Sequence, residues 1–169
     1  MVEDYLDNGE KLGVKIDYLR EESPLGTAGA LSLLNPRPNS AFVVNNGDVI
    51  TGIHFGELLD FHQQNIAGAT MAVRMYEWQN PFRVIQTQGI GITSYEENPI
   101  SHSHINAGVY VIELLTLGLL KKSERCGMPT LFELIQGKGN RVVAYLIHET
   151  WLDVGSLEDL KLARFANGT

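Results

Sequence analysis

A chain of 169 residues with 44% hydrophobic content can bury one proper core, and its length favours a single domain over residues 1–169. Thirteen Lys plus Arg against twenty Asp plus Glu give a formal charge of −7, and no basic cluster is longer than Lys121-Lys122, so a polyanion such as DNA is disfavoured as a partner. No apolar run approaches the ~20 residues of a membrane helix, Met1 to Tyr5 is acidic where a signal peptide is basic, and the lone Cys126 excludes an internal disulfide or a Cys-rich zinc site; a cytoplasmic protein with no membrane partner is expected.

In chain order, Val2, Tyr5 and Leu6 make a brief apolar pattern that closes at Asp7-Asn8-Gly9, like the tail of a helix ending in a glycine cap. Val14-Lys15-Ile16-Asp17-Tyr18-Leu19 alternates apolar and polar, which predicts a half-buried strand. Ser23-Pro24-Leu25-Gly26-Thr27-Ala28-Gly29-Ala30 then leads into Leu31, Leu33 and Leu34, with Thr27 as the cap of a helix that Pro36 stops. The small residues leave room either for a ligand against the backbone at a positive helix end or for a close helix–sheet contact. Phe42-Val43-Val44 suits a strand buried on both faces, and Asn45-Asn46-Gly47 turns the backbone so that Asp48 stands at the strand tip. A carboxylate there is either a ligand for a metal or hydroxyl, or part of a surface turn that satisfies its own backbone.

Phe55, Leu58, Leu59 and His62 recur at helical spacing, with His62 read as a boundary residue of that helix, and Ala69 to Met75 is the next strand. The β-α-β alternation argues for a largely parallel, doubly wound sheet. Phe82 to Ile85 and Ile90 to Tyr95 flank Thr87-Gln88-Gly89, a hairpin expected to lie over the sheet. Glu96-Glu97-Asn98-Pro99 follows as an extended stretch with a solvated charge pair, and His102 and His104 read as an exposed loop. Asn106-Ala107-Gly108 opens a second buried strand running to Ile112. Leu114 to Leu120 and Met128 to Ile135 read as helices, Arg141 to Ile147 as a strand, and Ser156-Leu157-Glu158-Asp159 as the start of a final helix. Just before it, Trp151-Leu152-Asp153-Val154-Gly155 sets a second isolated Asp in an apolar run.

Four of these stretches, Pro24-Leu25-Gly26-Thr27-Ala28-Gly29-Ala30, Asn46-Gly47-Asp48, Asn106-Ala107-Gly108 and Trp151-Leu152-Asp153-Val154-Gly155, occur in the order and approximate spacing seen in sugar-phosphate nucleotidyltransferases. The chain resembles most the branch related to mannose-1-phosphate guanylyltransferase. The resemblance implies an α/β, Rossmann-like nucleotide-diphospho-sugar transferase fold, with a mostly parallel mixed sheet flanked by helices. It also implies an enzyme that joins a nucleoside triphosphate to a sugar 1-phosphate, giving a nucleotide sugar, GDP-linked in this branch, and pyrophosphate. Asp48 and Asp153 are then the catalytic carboxylates and the ligands of Mg2+, which suits a cation that prefers a couple of carboxylates and completes its shell with waters and phosphates. Leu25, Gly26, Thr27, Ala28 and Gly47 would bind the nucleotide, and Glu97, Asn98, Asn106 and Gly108 the sugar.

Two features depart from the family. Its opening glycine-rich loop, Gly-x-Gly-x-Arg-Leu, has no counterpart here, so the chain resembles the carboxyl-terminal portion of the family's catalytic domain, N-terminally truncated. Asn98 also stands where the family's Glu-Lys-Pro carries a lysine, which keeps a donor and loses the charge. Both changes remove phosphate-binding groups, so the chain alone is expected to be inactive. The alternative is a non-catalytic module that binds a sugar nucleotide or a partner. A Rossmann dehydrogenase is disfavoured because no Gly-x-Gly-x-x-Gly occurs. A sheet cut short in this way would expose an edge, so self-association is expected.

Overall fold

Consecutive apolar residues on a strand need cover on both faces, and the central sheet of this chain has it. The computed structural model describes residues 2–155 and 159–161. Its elements are α1 (Val2–Leu6), α2 (Gly26–Gly29), β1 (Phe42–Asn45), β2 (Val49–Thr51), α3 (Phe55–Gln64), β3 (Ala69–Gln79), β4 (Val84–Gln88), β5 (Gly91–Glu96), β6 (Ile100–Ile112), α4 (Met128–Gly137), β7 (Val142–Ile147) and β8 (Trp151–Asp153). Short 3-10 segments lie at Glu10–Leu12, Ala30–Leu33 and Leu114–Leu119.

The main sheet has the order β1-β6-β3-β7. β6 is antiparallel to both β1 and β3, and β3 is parallel to β7, so three strands share one direction and β6 opposes them. This is the mixed sheet with flanking helices that the sequence led us to expect. Side chains alternate across β6. Tyr110 and Ile112 join Leu131, Phe132 and Ile135 of α4 and Ala28 of α2 on one face. Val109 and Val111 join Leu58 of α3, Ile53, Ala72 and Ile147 on the other.

Several local expectations fail for tertiary reasons. Residues 14–19 form no strand: Val14 and Leu19 are exposed, and alternation makes a strand only where an edge is present to pair with. His62 is a core residue rather than a boundary one, 1% exposed, with Nδ1 2.8 Å from Thr70 Oγ1 and Nε2 3.4 Å from Glu113 Oε1, so its polar ring is satisfied where it lies. The Thr27 hydroxyl does not cap its own segment; it accepts the Met128 N–H at 2.8 Å and thus serves the start of α4. The hairpin β4–β5 forms, yet almost every residue in it is exposed, so it projects from the sheet instead of covering it. It stands at the tip of an arm made by β3 and β6 alone, beyond Arg74, where β7 stops pairing. His102 and His104 belong to that arm, opposite Glu77 and Met75, and not to a loop. Asn98 is left-handed (φ 46°) rather than extended, a conformation asparagine tolerates. The helix expected from Ser156 falls largely outside the described residues; 159–161 are helical.

Candidate functional site

Strand β1 ends at Asn45, and the turn Asn46-Gly47-Asp48 carries the chain into β2. Opposite this turn the register of β6 against β3 slips, from Tyr110↔Met71 to Asn106↔Val73, so Ala107, Gly108 and Val109 face Ala72 alone. Such a bulge bends the strand and re-aims its backbone groups. Here it presents the Gly108 carbonyl to the Asn46 N–H at 2.8 Å. The Asn106 carboxamide locks the bulge from both ends: its Oδ1 accepts the Gly108 N–H at 2.9 Å, and its Nδ2 donates to the Tyr110 hydroxyl at 2.8 Å. Burial pushes the Tyr110 phenol up, so that hydroxyl stays protonated at neutral pH. The third motif arrives on β8, antiparallel to β2. The Val154 N–H donates to the Asp48 carbonyl at 2.8 Å, and the Trp151 indole N–H donates to the Ala107 carbonyl at 2.7 Å.

Gly108 is the residue this junction cannot replace. Its φ is +73°, and a Cβ there would lie 2.9 Å from Val49 Cγ2 and 3.0 Å from Asn46 Nδ2. Gly108→Val combines a left-handed β-branched residue with overpacking, so a loss of roughly 2–4 kcal/mol is expected. Thermal denaturation reads it, and a melting point equal to that of the unmodified chain contradicts the packing described.

Asp48 and Asp153 are both exposed and lie on adjacent segments, Asp153 being the register partner of Val49. Among the described residues no group of three or more His, Cys, Asp or Glu side chains could hold a metal. Each of the two offers a water-facing carboxylate, donor chemistry that suits Mg2+, a cation that keeps several waters and uses one or two carboxylates with phosphate oxygens. Gly47 beside them has open space where a Cβ would stand.

The other expected residues lie in two further places. Leu25 and Ala28 are buried in the core, and Gly26 and Thr27 are exposed. A Cβ on Gly26 would come 2.7 Å from the Cys126 carbonyl oxygen, and one on Gly29 would come 2.8 Å from that of Glu124. These glycines pack closely, against the 124–126 segment rather than the sheet. Glu97 and Asn98 sit at the hairpin base, before β6 begins, roughly 20 Å along that strand from Asn106. There Glu97 pairs with Arg83, and the Asn98 carbonyl accepts from Gln79 Nε2 at 3.4 Å. The structure thus unites Asn46 to Asp48, Asn106 to Gly108 and Trp151 to Val154, and leaves Glu97 and Asn98 apart.

Sequence reasoning missed Arg74. Its Nη1 donates to the Trp151 carbonyl at 3.0 Å, and its Cζ lies 5.7 Å from the centre of the Trp151 ring. The available signal was a single cation inside the apolar strand Ala69 to Met75, where a charge needs a reason.

The Nucleotidyl transferase family model matches residues 1–166. Curated relatives include a mannose-1-phosphate guanylyltransferase of Mycobacterium tuberculosis, 29% identical over an alignment of 159 residues that covers 90% of this chain and 44% of the relative. A mannose-1-phosphate guanyltransferase of Yarrowia lipolytica is 31% identical over 176 residues, covering 100% of this chain and 47% of the relative. The chain spans about half the length of the curated relatives it matches. Among solved structures, one described as a glucose-1-phosphate thymidylyltransferase from Bacillus anthracis superposes with a TM-score of 0.72 at 22% identity, over 98% of this chain and 70% of that one. HddC from Yersinia pseudotuberculosis does so with a TM-score of 0.70 at 18% identity, over 98% and 73%.

Proposed function

Since the chain belongs to the nucleotidyl transferase family, we propose that it supplies the metal- and sugar-binding part of an enzyme that joins a nucleoside triphosphate to a sugar 1-phosphate. A phosphate oxygen of the sugar attacks the α-phosphorus and pyrophosphate leaves. A GDP-linked, mannose-type product is favoured, because the relatives in Mycobacterium and Yarrowia carry mannose-1-phosphate guanylyltransferase names.

In this reading Asp48 and Asp153 hold Mg2+. That ion would neutralise the converging phosphates and keep the reacting groups in line. The nucleotide lies along Gly47 and the exposed backbone of Gly26 and Thr27, with Leu25 and Ala28 fixing that segment to the core. The sugar meets Gly108, whose position Asn106 sets; Glu97 and Asn98, at the far end of the arm, are left out of this contact. The observation that carries the proposal is the hydrogen bond from Val154 to the Asp48 carbonyl, which brings two isolated acids, 105 positions apart in the chain, onto neighbouring segments.

The test is calorimetric binding of mannose 1-phosphate to the 169-residue chain with and without Mg2+. Binding is expected to depend on the metal, and Asp48→Asn or Asp153→Asn should each weaken it at least about tenfold, since even groups one step removed from a metal cost that much. Metal-independent binding, or binding that both variants leave unchanged, overturns the proposal.

A further inference from the structure

We infer that the cavity beneath Arg74 and Trp151 receives the phosphate of the sugar 1-phosphate, with Arg74 as the cation that binds it. The inference rests on the function proposed above and adds a residue that the family motifs do not contain.

Among the described residues every other lysine and arginine is exposed, and Arg74 alone is half-buried. Among the described residues it has no ion-pair partner, whereas Arg20 pairs with Glu3 and Arg83 with Glu97. A guanidinium has five N–H donors, and among the described residues only one bond from Arg74 is made, to the Trp151 carbonyl. A cation partly withdrawn from water with neither a counter-ion nor a filled donor fork is costly unless an anion joins it. Arginine is also the side chain whose planar fork matches phosphate geometry.

The surroundings fit such an anion. Arg74 stands at the root of the arm, paired with Ile147 of β7 and Ile105 of β6, so the sheet fixes its backbone. The cavity beside it measures about 330 Å³, within the range of small-ligand sites, and Tyr76, Glu77 and Trp151 line it together with Arg74. Aromatic faces are what a hexose ring packs against next to its phosphate; the Glu77 carboxylate takes no part, since it lies on the other face of β3 and pairs with His102 Nδ1 at 3.2 Å. Trp151 and Asp153 are two positions apart on β8 and project to the same side, roughly 7 Å from each other along the strand. A phosphate at Arg74 is therefore one short step from the proposed metal carboxylates. Arg74 makes up for the charge missing at Asn98, which lies at the far end of the arm.

The experiment uses the 169-residue chain with Mg2+ and three probes: mannose 1-phosphate, mannose and inorganic phosphate. Arg74→Gln keeps a donor for the Trp151 carbonyl and removes the charge, and should weaken mannose 1-phosphate binding tenfold or more while Mg2+-GTP binding changes less than about twofold. In the unmodified chain, phenylglyoxal labelling read by mass spectrometry should slow at Arg74 with mannose 1-phosphate, slow less with inorganic phosphate, and stay unchanged with mannose. This second readout holds even if the variant folds poorly. Mannose 1-phosphate binding by the unmodified chain with no protection of Arg74 and no effect of Arg74→Gln overturns this inference and leaves the proposed function standing. Failure of the unmodified chain to bind mannose 1-phosphate at all overturns both.

Discussion

Purified as 169 residues, the chain is expected to release no pyrophosphate above background when given Mg2+, a panel of nucleoside triphosphates and several sugar 1-phosphates. Pyrophosphate leaves with concentrated negative charge, and a glycine-rich loop with its backbone donors and basic residues is what stabilises it. This sequence contains no such loop. Its own glycine segment is no substitute as a phosphate cradle, because the Ala28 and Gly29 N–H groups are already bonded to the Cys126 carbonyl at 3.0 and 3.1 Å. Loss of one preorganised donor costs about 10²–10³ in rate, and here a whole cradle is missing, with effects that compound without being additive. Turnover near ~1 s⁻¹, within the ordinary enzyme range, would show that other residues have rebuilt the phosphate site. Arg74 contributes to the sugar phosphate and does not reach this requirement, since the leaving group lies on the nucleotide.

Leu58→Ala is expected to cost about 2–5 kcal/mol of stability, which for a chain of this size lowers the melting point by roughly 5–15 °C. Leu58 is wholly buried and shares its core with Val109, Val111 and Ala107, the residues that flank the Gly108 bulge. Deleting three carbons there removes transfer energy and leaves a cavity under a bulged strand. Ile90→Ser is the control, since Ile90 is fully exposed at the hairpin tip and should change stability by less than about 0.5 kcal/mol. Equal melting points for the two variants would contradict the assignment of core and arm.

What the sequence determined by itself was local. Phe42 to Val44, Asn106 to Ile112, Met128 to Ile135 and Arg141 to Ile147 could be read because periodicity and turn chemistry depend on near neighbours, and these segments carry both signals strongly. The order of four motifs was likewise legible, and with it the family. Tertiary structure decided whatever depends on a distant partner. Residues 14–19 alternate correctly and remain unpaired, because no sheet edge comes to them. Thr27 looks like a cap and is one, for a helix whose first N–H is 101 positions away. His62 is buried because Thr70 meets its ring. Arg74 becomes half-buried only when Trp151, 77 positions later, arrives on β8 to cover it. Burial and charge pairing are properties of what packs around a residue, and no window of neighbouring letters contains that information.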